Sequence, residues 1–239
     1  MAKTEELRLN VSQHQPKNNQ SKVDDKRIHS AMKKCISYLR DRLGNYLDGY
    51  ILQFDTKISY SDLIKIIRDG RTRNEFDFTF QNRTIKPDGG VIYLKKEDDK
   101  EYLKIVLVSE VKKQGTNDLR AKEGKKKQAQ GNAIERLGKN LIGIRAALNH
   151  HPITPFVCFG HGCDFTYDYG ADDFVMSKIS MMNEFYKLNR TYVFKQDGSS
   201  ERNHYSPVSM YFKEEEWTED EMFLILKEIG ETALRYYIF

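Results

Sequence analysis

The stretch Tyr102-Leu103-Lys104-Ile105-Val106-Leu107-Val108-Ser109-Glu110-Val111-Lys112 decides the fold. Ile105 to Val108 are all apolar, more than a strand with one wet face needs, so a central strand covered on both faces is expected. Its far end turns polar. Glu110 and Lys112 are two residues apart and leave the same face, which by simple alternation also carries Val106 and Val108. Working upstream, Val91 to Leu94 is a second strand, joined to the first by the charged turn Lys95 to Glu101. Phe76, Phe78 and Phe80 alternate with polar residues as a third. Before them, Ile28, Met32, Cys35, Ile36, Leu39 and Leu43 recur at helical spacing, and a short helix is expected from Asp62 to Asp69 with Ser59 or Ser61 as N-cap.

Downstream, Lys113 to Gln130 is basic and without periodicity, as in a long exposed loop, and loops of that length in compact domains tend to carry function. Asn132 opens a helix whose apolar face is Ile134, Leu137, Leu141, Ile144 and Leu148; Asn132 with Glu135 fits a capping box. Thr154 to Phe159 reads as a buried strand, Asp172 to Leu188 as a helix, and Thr191 to Phe194 and Val208 to Phe212 as strands, the last near an edge because Pro207 precedes it. Thr218 and Glu221 cap a final helix through Met222, Leu226, Ile229 and Ala233. The expected fold class is α/β, a mixed central β-sheet flanked by helices with an αβββαβ core. Residues 1–25 read as a flexible polar arm and 26–239 as a single domain.

Composition narrows the class further. The 239 residues, with 13 Phe, 14 Tyr and one Trp, can bury a core, and no apolar run approaches the roughly 18 residues of a membrane span. No apolar leader precedes the domain and only three cysteines are present, so a reducing, cytoplasmic setting is expected. Cys158, His161 and Cys163 match no zinc spacing. Net charge is only +4, but Lys112 to Lys139 holds nine Lys or Arg against three acids. That stripe is the footprint expected for a polyanion, with a solvated charged face as the competing interpretation.

The chemistry centres on Glu110 and Lys112. Alone, the two suit a structural ion pair. Asp88, in Lys86-Pro87-Asp88-Gly89-Gly90, opens the neighbouring strand, and hairpin pairing could return its carboxylate to Glu110; alternatively it is an ordinary turn aspartate. Two carboxylates and a lysine at one sheet end suit phosphodiester hydrolysis. Hard oxygens hold Mg²⁺, which activates a water and neutralises phosphate charge, while the lysine orients or deprotonates that water.

Ile85-Lys86-Pro87-Asp88-Gly89-Gly90, then Val106 to Lys112, Gln114-Gly115, and above all Gly131-Asn132-Ala133-Ile134-Glu135-Arg136 with Lys139-Asn140 resemble, in order and nearly in spacing, the EcoRI-like type II restriction endonucleases of the PD-(D/E)XK nuclease family. The likeness covers Thr84 to Phe165 well, Trp217 to Arg235 loosely, and the first 70 residues not at all.

The resemblance implies the family's αβββαβ core and a homodimeric, Mg²⁺-dependent enzyme. Such an enzyme cuts both strands of a palindromic double-stranded DNA site, leaves 5′-phosphate ends, and is accompanied by a cognate DNA methyltransferase in a bacterial or archaeal cell. It implies Asp88 and Glu110 as metal ligands, with the Val111 carbonyl, and Lys112 acting on the attacking water. Gly131, Asn132, Ala133, Glu135 and Arg136 would be the recognition segment, consistent with Asn pairing to adenine and Ala resting on a thymine methyl.

Family members sharing these pieces read GAATTC or CAATTG, so a site containing AATT is expected. The chain departs from the family in having Ala129-Gln130 before Gly131 and no arginine between Arg145 and Arg190. The outer base pair is therefore left to Gln128 and Gln130, or is unread. Lys113, Lys125, Lys126, Lys127 and Lys139 are expected on phosphates. Two other functions fit the same residues, a structure-selective repair or junction nuclease and a catalytically silent DNA-binding module.

Overall fold

The computed structural model describes residues 16–68, 83–113, 124, 144, 148, 153–162, 209–213 and 215–239, and of 16–21, 210 and 212 the backbone alone. The elements are α1 (Pro16–Leu43), a 3₁₀ turn (Gly44–Tyr46), β1 (Tyr50–Asp55), β2 (Ile58–Ser59), α2 (Tyr60–Arg68), β3 (Thr84–Ile85), β4 (Gly90–Lys96), β5 (Leu103–Lys113), β6 (Phe156–His161), β7 (Ser209–Lys213) and α3 (Glu219–Ile238).

Five strands form one sheet in the order β1-β4-β5-β6-β7, while β2 and β3 pair separately. β4 runs antiparallel to both β1 and β5, whereas β6 is parallel to β5 and β7 to β6, so the sheet is mixed as expected. β5 is central and nine of its eleven residues are buried. Among the described strands β7 is the last in the order, the position expected from Pro207.

Each face of the sheet has its own core. On one, α1 and α3 pack Ile28, Met32, Cys35, Leu39, Met222, Leu226 and Ala233 onto Ile92, Leu94, Leu107 and Phe159. On the other, Leu63 and Ile66 of α2, with Ile144 and Leu148, cover Val91, Tyr93, Val108, Phe156 and Cys158. Ile144 is helical and its carbonyl accepts the Leu148 N–H at 3.0 Å. The last two members of the stripe expected after Asn132 are therefore core residues.

The register of β4 on β5 shifts once. Ile92 faces Leu107 but Tyr93 faces Ile105, leaving Val106 as the extra residue of a β-bulge. Val106 and Leu107 consequently both enter the α1/α3 core, while Leu103, Ile105 and Val108 enter the α2 core. The expectation that Val106 shares a face with Val108 is thus corrected: simple alternation fails across the bulge and resumes beyond it.

Two further differences concern the amino-terminal part. α1 starts at Pro16, so residues 16–25, expected in the flexible arm, are helical. Proline suits a first helical turn, and the helix is held downstream by Asp24, which is buried against His161 at 3.1 Å. The first strand of the sheet is β1, which the expected order lacked. The Phe76 to Phe80 strand, the Asp172 to Leu188 helix and the Thr191 to Phe194 strand lie outside the described residues.

The caps expected on α2 and α3 are present, and the one expected at Asn132 lies outside the described residues. The Ser59 hydroxyl accepts the Asp62 N–H at 3.0 Å, and Thr218 and Glu221 form a reciprocal capping box on α3. Among the described residues no helix is long and apolar enough to cross a membrane.

Candidate active site

Asp88 reaches β5 because the two residues after it have no side chains. The Gly90 N–H closes a turn onto the Pro87 carbonyl at 3.1 Å, and the Gly89 N–H donates to the Ser109 carbonyl at 3.0 Å. A Cβ at Gly89 would stand 2.0 Å from Ser109 Oγ and 2.9 Å from Ile28. Gly90 has φ of +84°, and a Cβ there would stand 2.5 Å from the Asp55 carbonyl oxygen. The turn therefore lies flat against β5, and Gly90 pairs with Ser109.

Beyond the bulge, Glu110 and Lys112 leave the face that carries Val108. The Lys112 ammonium donates to Glu110 Oε2 at 2.6 Å and also to Asp88 Oδ2. The same Asp88 oxygen accepts the Val111 N–H at 3.3 Å. The three residues expected to act together are thus together, Glu110 fully buried and Asp88 more open.

Burial pushes the Glu110 carboxyl up to about 7, against the pull of Lys112 and with the Asp88 charge adding to the rise. Burial alone would lower the Lys112 ammonium, but Glu110 and Asp88 outweigh it and hold the group above the usual lysine range. Lys112 is accordingly a firm cation. Cys158 stands opposite Glu110 on β6, and burial raises its thiol too far for a thiolate nucleophile.

The donor set fits a hard divalent cation. Asp88 and Glu110 offer carboxylate oxygens converging on one point, and a positive group, the Lys112 ammonium, already bridges them there. Zinc at Cys158 and His161 fits poorly, because Cys158 packs in the α2 core while His161 meets Asp24 of α1 on the other face. Cys163 lies outside the described residues.

Of the other expected site residues, Lys113 is exposed at the end of β5 and Val111 is buried with its N–H on Asp88. Gln128, Gln130, Gly131, Asn132, Ala133, Glu135, Arg136, Lys125, Lys126, Lys127 and Lys139 all lie outside the described residues.

The site also has neighbours the sequence reading missed. A cleft of about 580 Å³ opens beside Asp88, walled by Lys86 on one side and by Asp25, Lys26, His29 and Lys33 of α1 on the other. Burial first, then the Asp88 charge, raises the Asp25 carboxyl, with Lys112 acting in the opposite direction. The only sequence signal was the four-residue spacing of Asp25, His29 and Lys33 beside the apolar stripe of α1.

Residues 13–238 match the family model described as restriction endonuclease EcoRI. Named relatives match at modest identity. The type II restriction enzyme EcoRI of Escherichia coli is 36% identical over 92 residues, 35% of this chain and 32% of that protein. The type II restriction enzyme RsrI of Cereibacter sphaeroides is 28% identical over 183 residues, 65% of each. The chain thus spans about a third of one curated relative and just under two thirds of the other. The family match runs from before α1 to the end of α3, taking in most of the first 70 residues, where no likeness was expected, and holds Asp88, Glu110 and Lys112 within it, so this chain belongs to the EcoRI restriction endonuclease family.

Proposed function

We propose that the protein is a type II restriction endonuclease that cleaves both strands of a palindromic DNA site. The observation that carries this is the meeting of Asp88, Glu110 and Lys112 at the polar end of the central strand. A silent binding module has no need of two carboxylates beside DNA phosphate, where each repels the ligand.

Asp88 and Glu110, with the Val111 carbonyl, would hold Mg²⁺. When bound, that ion activates water and neutralises charge on the phosphate. Asp88, the more open carboxylate, faces the incoming phosphodiester, while Glu110 is locked in place by burial. Lys112 is held protonated by both carboxylates, which favours stabilising charge on the phosphate and orienting the water over accepting its proton. Water adds to phosphorus and the 3′ oxygen leaves, giving 5′-phosphate and 3′-hydroxyl ends.

Gln130 to Arg136 read the bases, with AATT as the inner sequence. Lys113, Lys125, Lys126, Lys127 and Lys139 contact phosphates. A homodimer places one site on each strand of the palindrome, and a cognate methyltransferase protects the cytoplasmic host DNA. The chain from α1 to α3 acts as one catalytic and recognition domain.

The test is incubation of purified protein with unmethylated phage DNA and Mg²⁺, with Lys112→Ala and a chelator as controls, followed by sequencing of the fragment ends. Discrete fragments whose ends share AATT are expected. Nicks independent of sequence would move the assignment to a structure-selective nuclease, and no cleavage to a silent binder.

A further inference from the structure

Four cations in the middle of α1 differ in their partners. Arg27 is bonded to Glu216 at 2.6 Å, and Lys34 to Glu219 at 2.5 Å and Asp220 at 2.9 Å, so those facing α3 are compensated. Lys26 and Lys33 face the cleft beside Asp88 instead, and among the described residues neither they nor Lys86 across from them makes an ion pair. Uncompensated positive charge in a concave surface concentrates anions there.

Asp25, His29 and Lys33 follow one another at four-residue spacing, so the stripe covers two turns, about 12 Å at 1.5 Å per residue. Asp25 lies within electrostatic reach of Asp88 and Lys112, and Lys26, His29 and Lys33 line the same cleft. A DNA strand carries a phosphate about every 3.4 Å along the axis, so a track of this length meets more than one.

Resting on the nuclease reading above, we propose that this cleft seats the sugar-phosphate backbone of the strand being cut, next to the scissile phosphate. Lys26 and Lys33 pair with phosphates that do not react, and the His29 ring sits between them. α1 is thus a backbone-positioning element, separate from the base-reading segment that follows β5. The sugar-phosphate chain is the same at every sequence, so the contribution is independent of sequence.

The experiment measures duplex binding without divalent metal across a salt series, on DNA with and without the cleavage site. Wild type, Lys26→Gln, Lys33→Gln and Lys100→Gln are compared. Lys100 lies in the turn before β5, at the opposite end of that strand from Lys112. Lys26→Gln and Lys33→Gln should each flatten the plot of log affinity against log salt by about one unit, equally on both DNAs, while Lys100→Gln keeps the wild-type slope. A wild type that cuts DNA, with unchanged slopes in both α1 variants or a change in base preference alone, would overturn this inference and leave the nuclease assignment standing. A wild type that neither cuts nor shows salt-dependent binding would overturn both.

Discussion

Lys112 Nζ lies 2.6 Å from Glu110 Oε2, and the glutamate is fully buried. The lysine is the positive charge that makes the buried carboxylate tolerable. Lys112→Ala should therefore do two things. Cleavage should fall by about 10²-fold or more, the usual weight of a positioned acid-base or charge-stabilising group. Metal-free stability should fall more at pH 8 than at pH 5, because at low pH Glu110 can take a proton. Cleavage assays and denaturant melts at both pH values decide this, and equal losses of stability would contradict it.

The raised Glu110 carboxyl sets a pH window. Its folded value lies above the ordinary carboxyl value, so the metal-free fold binds the extra proton more tightly than the unfolded chain. That contribution to stability is present at low pH and is lost as pH rises through about 7. A divalent cation must displace the same proton. Mg²⁺ affinity should climb by about tenfold per pH unit up to roughly 7 and then level off. Calorimetric titration at pH 5.5, 6.5 and 8 reads this directly, and a flat profile would count against Glu110 as a ligand.

Gly89→Ala should impair the site without touching a reactive group. The new methyl would meet Ser109 Oγ and Ile28, forcing the turn that carries Asp88 off β5. Overpacking of this kind costs about 1–3 kcal/mol. Cleavage should fall further than stability alone explains, measured as activity at a temperature where the variant is fully folded. An active, fully stable Gly89→Ala would show that Asp88 does not depend on that contact.

Asp24→Ala should loosen the start of α1. It leaves His161 buried without its carboxylate partner, at a cost of roughly 1–3 kcal/mol. Asp24→Asn keeps an acceptor and should lose less. Limited proteolysis near residues 16–25 should speed up in the first variant and barely change in the second.

Asn132→Ala tests the base-reading assignment. Discrimination at the inner A·T pairs should drop by about 1–3 kcal/mol, whereas Lys126→Ala should weaken binding alike on all sequences. Competition binding on duplexes altered one base pair at a time separates the two.

Particular residues explain what could be read in advance. β5 was legible because its apolar run is long, and the α2 and α3 caps because a side-chain oxygen at fixed spacing has one geometric use. β1 was not, since Leu52 is its one fully buried residue and Ile51 is 45% exposed, leaving no alternation. The bulge was invisible for the opposite reason: with Ile105 to Val108 all apolar, nothing marks where the faces exchange. The Glu110 and Lys112 pairing survived that error because both lie beyond the bulge. The α1 wall of the cleft was missed because lysines on a helix look like any solvated face until their partners are known.

The packing of α1 against α3 has a consequence for synthesis. Met222, Leu226 and Ala233 cover the same core as Met32, Cys35 and Leu39, and Gly230 is close enough that a methyl there would stand 3.3 Å from Leu39. A nascent chain released before Glu219 carries Asp88, Glu110 and Lys112 yet lacks the apolar residues of α3 that cover its first helix. Fragments from broken messages or stalled ribosomes should thus stay unfolded and be degraded, so on the proposed reading only chains that include the last helix would cut DNA in the cell that makes them.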